Sequence, residues 1–248
     1  MDLREKIILV TGASSGIGQA TAIACAQKGA RVIVHYRKNK AGAEDTLKKM
    51  GKSAKGVVVQ ADLTQPEQIK RMFPQVAQEV GKIHILVNNA GEAQSGDFFD
   101  NAQWQAQFAN IFFSALHVSQ YFLQQNTDAA MRKIVNIGSL YGNPQNGNVD
   151  YFSYSVAKTA LHSMTINLAK LDAKVLVNAI APGYTWTPAW EGISAAEKQL
   201  CESRTRTGRF VQPEEVTQMT IAVLENDSLT GQIITVDGGL GLQTLERK

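Results

Sequence analysis

Short apolar runs alternate with helix-length segments along the whole chain, and that alternation predicts an α/β protein. The expected architecture is one doubly wound parallel sheet of about seven strands with helices on both faces. Three observations carry this. The apolar runs are continuous rather than alternating with polar residues, as in strands buried on both faces. The intervals between them are long enough for crossover helices. A chain of 248 residues and 27.0 kDa suits one large domain better than two small ones.

The first run is Lys6-Ile7-Ile8-Leu9-Val10. It stops in Thr11-Gly12-Ala13-Ser14-Ser15-Gly16-Ile17-Gly18, and the alanine-rich residues 17–28 read as a helix. Strand, glycine-rich turn and helix start together make a phosphate cradle, because glycine lets the backbone approach an anion and the helix's unpaired N–H groups face it. This makes the sheet Rossmann-type. Further strands are expected at 31–36, 56–60, 83–88, 133–138, 175–180 and 233–236, and further helices at 41–50, 66–80, 103–124, 154–171 and 213–225. Ligands of such sheets bind outside the carboxyl ends of the strands. Gly12, Asn88, Ser139 and Pro182 each follow a strand.

Composition narrows the function. A hydrophobic fraction of 44% and a charged fraction of 19% fit a soluble protein with a substantial core. No apolar run reaches the roughly 18–20 residues that span a bilayer, so no membrane partner is expected. Met1-Asp2-Leu3-Arg4-Glu5-Lys6 leads directly into the first strand and leaves no room for a signal peptide. Cys25 and Cys201 lack ligand-like spacing and read as free thiols of a reducing cytoplasm, with no metal site expected. A net charge of +3 and a pI near 8.8 are too mild to suggest nucleic acid.

Chemistry is suggested by Tyr154-Ser155-Val156-Ala157-Lys158. Four residues apart on a helix, phenol and ammonium share a face. Bringing a tyrosine from a pKa of about 10 to near 7 needs roughly 4 kcal/mol. A lysine cation ~5 Å away at an effective dielectric of ~20 contributes about 3 kcal/mol. Alone, the pair is common on ordinary helices.

With its neighbours the pair is distinctive. Thr11-Gly12-Ala13-Ser14-Ser15-Gly16-Ile17-Gly18, Asp62, Asn88-Asn89-Ala90-Gly91, Ser139, Tyr154 with Lys158, Pro182-Gly183 and Val236-Asp237-Gly238-Gly239 follow in that order, and over essentially its whole length the chain resembles the short-chain dehydrogenase/reductase family. The resemblance implies an NADP(H)-dependent oxidoreductase acting on a small carbonyl or alcohol substrate. Ser139 would hold the substrate carbonyl and Tyr154 exchange the proton. Lys158 would lower the tyrosine's pKa and hold the nicotinamide ribose. The generic substrate is a 3-oxoacyl thioester or another small ketone. A pteridine reductase, an alcohol or sugar dehydrogenase, and a non-catalytic NADP sensor are the alternatives.

The resemblance also assigns the cofactor cleft. Gly12, Ser14, Ser15, Gly16, Ile17 and Gly18 are expected at the phosphates, Asp62 and Leu63 at the adenine, and Asn89, Ala90 and Gly91 under the adenosine side. Pro182, Gly183 and Thr187 are expected at the nicotinamide. After the second strand, Tyr36, Arg37 and Lys38 occupy the stretch where an NAD enzyme carries an acid. A carboxylate would repel a 2′-phosphate, whereas a guanidinium binds it in a forked geometry, so NADP(H) is expected. Residues 184–210 read as a substrate lid with Tyr184, Trp186 and Trp190 as candidate walls. The family's relay asparagine is represented by Asn110, yet gapless counting from Trp104 or Ser119 puts Ile111 there. Either the helix carries a local bulge or the relay is altered, since one residue is ~100° of helix rotation. Finally, residues 108–118 and 156–169 are apolar around most of their circumference. The family pairs these helices across a twofold axis, which implies a homodimer or homotetramer.

Overall fold

The computed structural model describes residues 1–51, 54–125 and 131–242. Its strands are β1 (Ile7–Val10), β2 (Arg31–Tyr36), β3 (Gly56–Gln60), β4 (Ile85–Asn88), β5 (Arg132–Ile137), β6 (Val175–Pro182) and β7 (Ile233–Val236). All pair in parallel, in the order β3-β2-β1-β4-β5-β6-β7. The order reverses beside β1, where Val10 lies between Val34 of β2 and Val87 of β4. The loops leaving β1 and β4 diverge there and open a crevice at the carboxyl edge.

The helices are α1 (Gly16–Gln27), α2 (Lys40–Lys49), α3 (Pro66–Glu79), α4 (Asn101–Phe108), α5 (Ser114–Gln124), α6 (Phe152–Leu168), α7 (Ala195–Ser203) and α8 (Pro213–Glu225). Strand periodicity sends Ile8 and Val10 to one face and Ile7 and Leu9 to the other. The first pair packs with Ala22 and Cys25 of α1 and Val216 and Leu224 of α8. The second meets Ile69 and Phe73 of α3 and Val118 and Phe122 of α5. Each such side chain contributes about 1.5–3 kcal/mol on burial.

Two departures from the sequence reading matter. The helix expected at 103–124 is divided. It begins earlier, where the Asp100 carboxylate accepts the N–H groups of Ala102 and Gln103, and a π turn over Ala109–Phe113 separates α4 from α5. Within the expected lid lies a helix, α7, closed by a capping box in which Glu197 N–H donates to Ser194 Oγ at 3.1 Å and Ser194 N–H to Glu197 Oε2 at 2.9 Å. Among the described residues, no helix is long and apolar enough to cross a membrane.

Candidate active site

A cleft of about 980 Å³ runs along the carboxyl edge of the sheet, from the glycine turn to α7. Gly12 has φ +62°, and a Cβ on it would lie 2.9 Å from Ala90 Cα. Ser14, Ser15, Gly16 and Ile17 line the cleft where α1 starts, and the first turn of α1 carries no acid to oppose a phosphate. Gly18, expected in contact with cofactor, does not line it. A Cβ there would collide with Asn89 Nδ2 and Gly12 O, so Gly18 serves the close packing of turn against β4. Asn89 ties the two loops by donating from Nδ2 to Thr11 O at 2.8 Å and Gly12 O at 3.1 Å.

Arg37, Lys38, Asp62, Leu63, Asn89, Ala90 and Gly91 line the cleft as expected. Burial raises the pKa of the Asp62 carboxyl, but hydrogen bonds from Thr64 and the charges of Arg37 and Lys38 outweigh it and hold it below the ordinary value. Tyr36 is a correction. It packs into the core layer beneath α1, and the cleft-lining residue at the end of β2 is its neighbour His35. Adjacent strand residues face opposite ways, so the Tyr36 side chain turns from the cleft while His35 meets it. His35 Nδ1 accepts the Gly12 N–H at 3.1 Å, which leaves Nε2–H to donate to Ala61 O at 3.0 Å. Burial drops its pKa to about 4 and keeps the ring neutral for both bonds. Nothing in the sequence marked it, since a histidine within an apolar strand reads as core.

Ser139, Tyr154 and Lys158 converge at the centre of the cleft. Helix α6 begins two residues before the tyrosine, so the i, i+4 pair does share a face, with Lys158 Nζ 5.7 Å from the Tyr154 ring centroid. Lys158 is 5% exposed and donates to Ile137 O at 2.7 Å. The electrostatics differ from the simple charge sum. Burial lowers the lysine's pKa to about 7, and burial raises that of Tyr154, partly offset by Ser139. The sum left out desolvation, which penalises phenolate and ammonium alike. His162, one turn further along α6, sits against the loop carrying Ser139, and its Nε2 accepts Ser139 N–H at 3.4 Å.

The π turn settles which neighbour faces the cleft. Ser114 N–H reaches back to Ala109 O, and the extra residue leaves Asn110 lining the cleft while Ile111 is buried with its Cδ1 against Gly91. Asn110 Nδ2 donates to Glu92 O at 3.3 Å, and its carbonyl accepts the Ser114 hydroxyl at 2.7 Å.

Pro182, Gly183, Thr187 and Tyr184 line the far end. Trp186 does not. It packs on Phe210 at 5.2 Å between centroids under the Lys198 ammonium, because the Trp186 N–H···Val211 O bond turns the segment. Trp190, the other tryptophan expected as a wall, does line it, joined by Tyr141 and Tyr151 from the β5–α6 loop and by Cys201 and Arg204 from α7 and its end.

A family model described as enoyl-(acyl carrier protein) reductase matches residues 12–241. The chain is 35% identical to the 3-oxoacyl-(acyl carrier protein) reductase of Thermotoga maritima, over 97% of this chain and 99% of that one. It is 32% identical to the cis-4-hydroxycyclohexanecarboxylate dehydrogenase of Sinomonas cyclohexanicum, over 95% and 96%. A crystal structure of an actinorhodin polyketide ketoreductase variant with NADPH superposes with a TM-score of 0.89 at 27% identity, covering 96% of this chain and 98% of that one. The chain belongs to the short-chain dehydrogenase/reductase family of oxidoreductases.

Proposed function

We propose that the protein is an NADPH-dependent ketone reductase. The observation that carries this reading is the convergence of Ser139, Tyr154 and a buried Lys158 at one point of a cleft that begins at a phosphate-binding turn. The glycine turn fits a dinucleotide, since Gly12, Ser14, Ser15, Gly16 and Ile17 line the cleft where α1 starts without an acid in its first turn. Gly12, Ser15, Gly16 and Ile17 would hold the pyrophosphate, Arg37 the 2′-phosphate, and Lys158 the nicotinamide ribose. Bound NADPH supplies the hydride that reduces the carbonyl carbon. Ser139 hydrogen-bonds the carbonyl oxygen and fixes its position. The raised pKa of Tyr154 keeps its phenol protonated at neutral pH, so it donates the proton that the new alkoxide takes up. Lys158, with a pKa of about 7, then favours refilling of the phenol by holding or releasing a proton beside it. Asn110, on the cleft face of the π turn, is assigned to the relay that serves Lys158.

Small ketones and 3-oxoacyl thioesters are the substrates this reading favours, in a cytoplasmic homodimer or homotetramer. The relative named a 3-oxoacyl-(acyl carrier protein) reductase and the NADPH-bound neighbour support the substrate and cofactor. A dehydrogenase run towards the ketone is the second reading, favoured by the Sinomonas relative. The test is NADPH consumption by the purified protein across small ketones, acyl thioesters and pterins, with alcohols and NADP+ in the reverse direction. Turnover with ketones and NADPH is expected. No turnover with any carbonyl or alcohol would leave only a sensor.

A further inference from the structure

Three polar side chains at the substrate end of the cleft form one bonded chain, anchored at one end by a main-chain N–H. Asp150 N–H donates to Asn148 Oδ1 at 2.9 Å, which fixes the amide so that its Nδ2 faces Tyr141. Asn148 Nδ2 then donates to the Tyr141 hydroxyl at 3.0 Å. The Tyr141 and Tyr184 hydroxyls lie 3.0 Å apart and bridge the loop after β5 to the loop after β6. Burial holds the Tyr141 phenol well above its ordinary pKa, so it stays protonated. The two hydroxyls own two hydrogens, and their mutual bond uses one. Asn148 presents a donor, so it takes neither. Among the described residues, no oxygen accepts the second hydrogen.

Arg204 lines the cleft with Tyr184, whose hydroxyl raises the guanidinium's pKa, and among the described residues it makes no ion pair with a carboxylate. A guanidinium also only donates. This end of the cleft therefore holds an excess of donors, one of them cationic. The carboxylates of Glu92 and Asp150 line the same cleft, but among the described residues neither accepts from Tyr141 or Tyr184 or pairs with Arg204. Beside the donors stand Tyr151, 6.3 Å from Tyr141, and Trp190, 5.5 Å from Tyr184, which supply an apolar wall for a short carbon spacer.

We propose that the cleft selects ketones carrying a second oxygen acceptor away from the reacting carbonyl, received by the Tyr141–Tyr184 pair and Arg204, with a carboxylate preferred over a neutral group. The proposal rests on the ketone-reductase reading of the same cleft. A bidentate carboxylate can take the free hydroxyl hydrogen and a guanidinium N–H together, whereas a neutral hydroxyl answers the tyrosine alone.

The test uses the NADP+-loaded protein, which binds ketones without turning them over, and three probes of similar length: pentan-2-one, 5-hydroxypentan-2-one and 4-oxopentanoate. Calorimetry should give affinities rising in that order, with the acid at least about tenfold tighter than pentan-2-one, the scale of one charged hydrogen bond. The double variant Tyr141→Phe/Tyr184→Phe, which removes both hydroxyls, should bring the alcohol down to the affinity of pentan-2-one. Arg204→Gln should remove the advantage of acid over alcohol and leave that of alcohol over pentan-2-one. Equal affinities for the three probes, no binding of any, or an order unchanged in both variants would overturn the proposal. Failure of the reductase reading shows separately, as no NADPH oxidation with any of the three ketones.

Discussion

Lys158 is expected to weaken the fold that holds it. Burial takes its pKa from 10.5 to about 7. At ~1.36 kcal/mol per unit, carrying that charge in the folded state costs about 4–5 kcal/mol. Lys158→Met keeps the chain length and removes the charge. It also leaves Ile137 O without the donor now 2.7 Å away, which costs about 1–3 kcal/mol. The variant should therefore gain about 1–4 kcal/mol at neutral pH while losing turnover. The sign of the pH dependence follows from linkage. The folded value is the depressed one, so the wild-type penalty is complete below about 7 and fades as pH rises towards 10.5. The advantage of the variant should be largest on the acid side and shrink across that window. Urea denaturation of both proteins at one protein concentration measures it, since assembly would otherwise shift the midpoints. A variant less stable than wild type at neutral pH, or a difference flat with pH, would refute the argument that the lysine is held against its hydration.

Three further outcomes follow from other parts of the molecule. Arg37→Ala should weaken NADPH binding by about 1.5–3 kcal/mol and leave NADH nearly unchanged, by titration calorimetry; equal losses for both cofactors would remove Arg37 from the 2′-phosphate. Gly138→Ala would drive a Cβ into the His162 imidazole and should cost about 1–3 kcal/mol of stability, recovered in the double variant with His162→Ala; a double variant no better than the single would show that the collision is relieved elsewhere. Phe113, Val156 and Ile166 are exposed at 44%, 39% and 40%, so Phe113→Asp should dissociate a homodimer or homotetramer built on these helices. Light scattering after gel filtration reads it, and a wild-type mass near 27.0 kDa at micromolar concentration ends the expectation.

The sheet was legible because parallel strands buried on both faces leave continuous apolar runs, and the structure places all seven within a few residues of the expected bounds. The π turn was half legible. Gapless counting left Asn110 one position out of step, which a bulge resolves, but periodicity alone does not say where an extra residue is absorbed. Helix α7 had a readable signal, Ser194 followed three residues later by Glu197, hidden by an otherwise polar segment. Tyr36 and Trp186 were misplaced for a different reason. Which way a residue points at a strand end or in a loop depends on bonds such as Trp186 N–H···Val211 O, made to residues distant in the chain. The Tyr141–Tyr184 bridge joins loops 43 residues apart and left no local mark.

The central claim is that Tyr154 donates the proton in a reduction driven by NADPH. Stopped-flow NADPH fluorescence on wild type and Tyr154→Phe, with a ketone that the wild type reduces, tests it most directly. NADPH affinity should be nearly equal in the two proteins, and hydride transfer in the variant should fall by about 10²–10⁴-fold, the contribution of a positioned general acid. A variant that keeps more than about a tenth of the wild-type rate, where that general-acid contribution should have vanished, would assign the proton to another group.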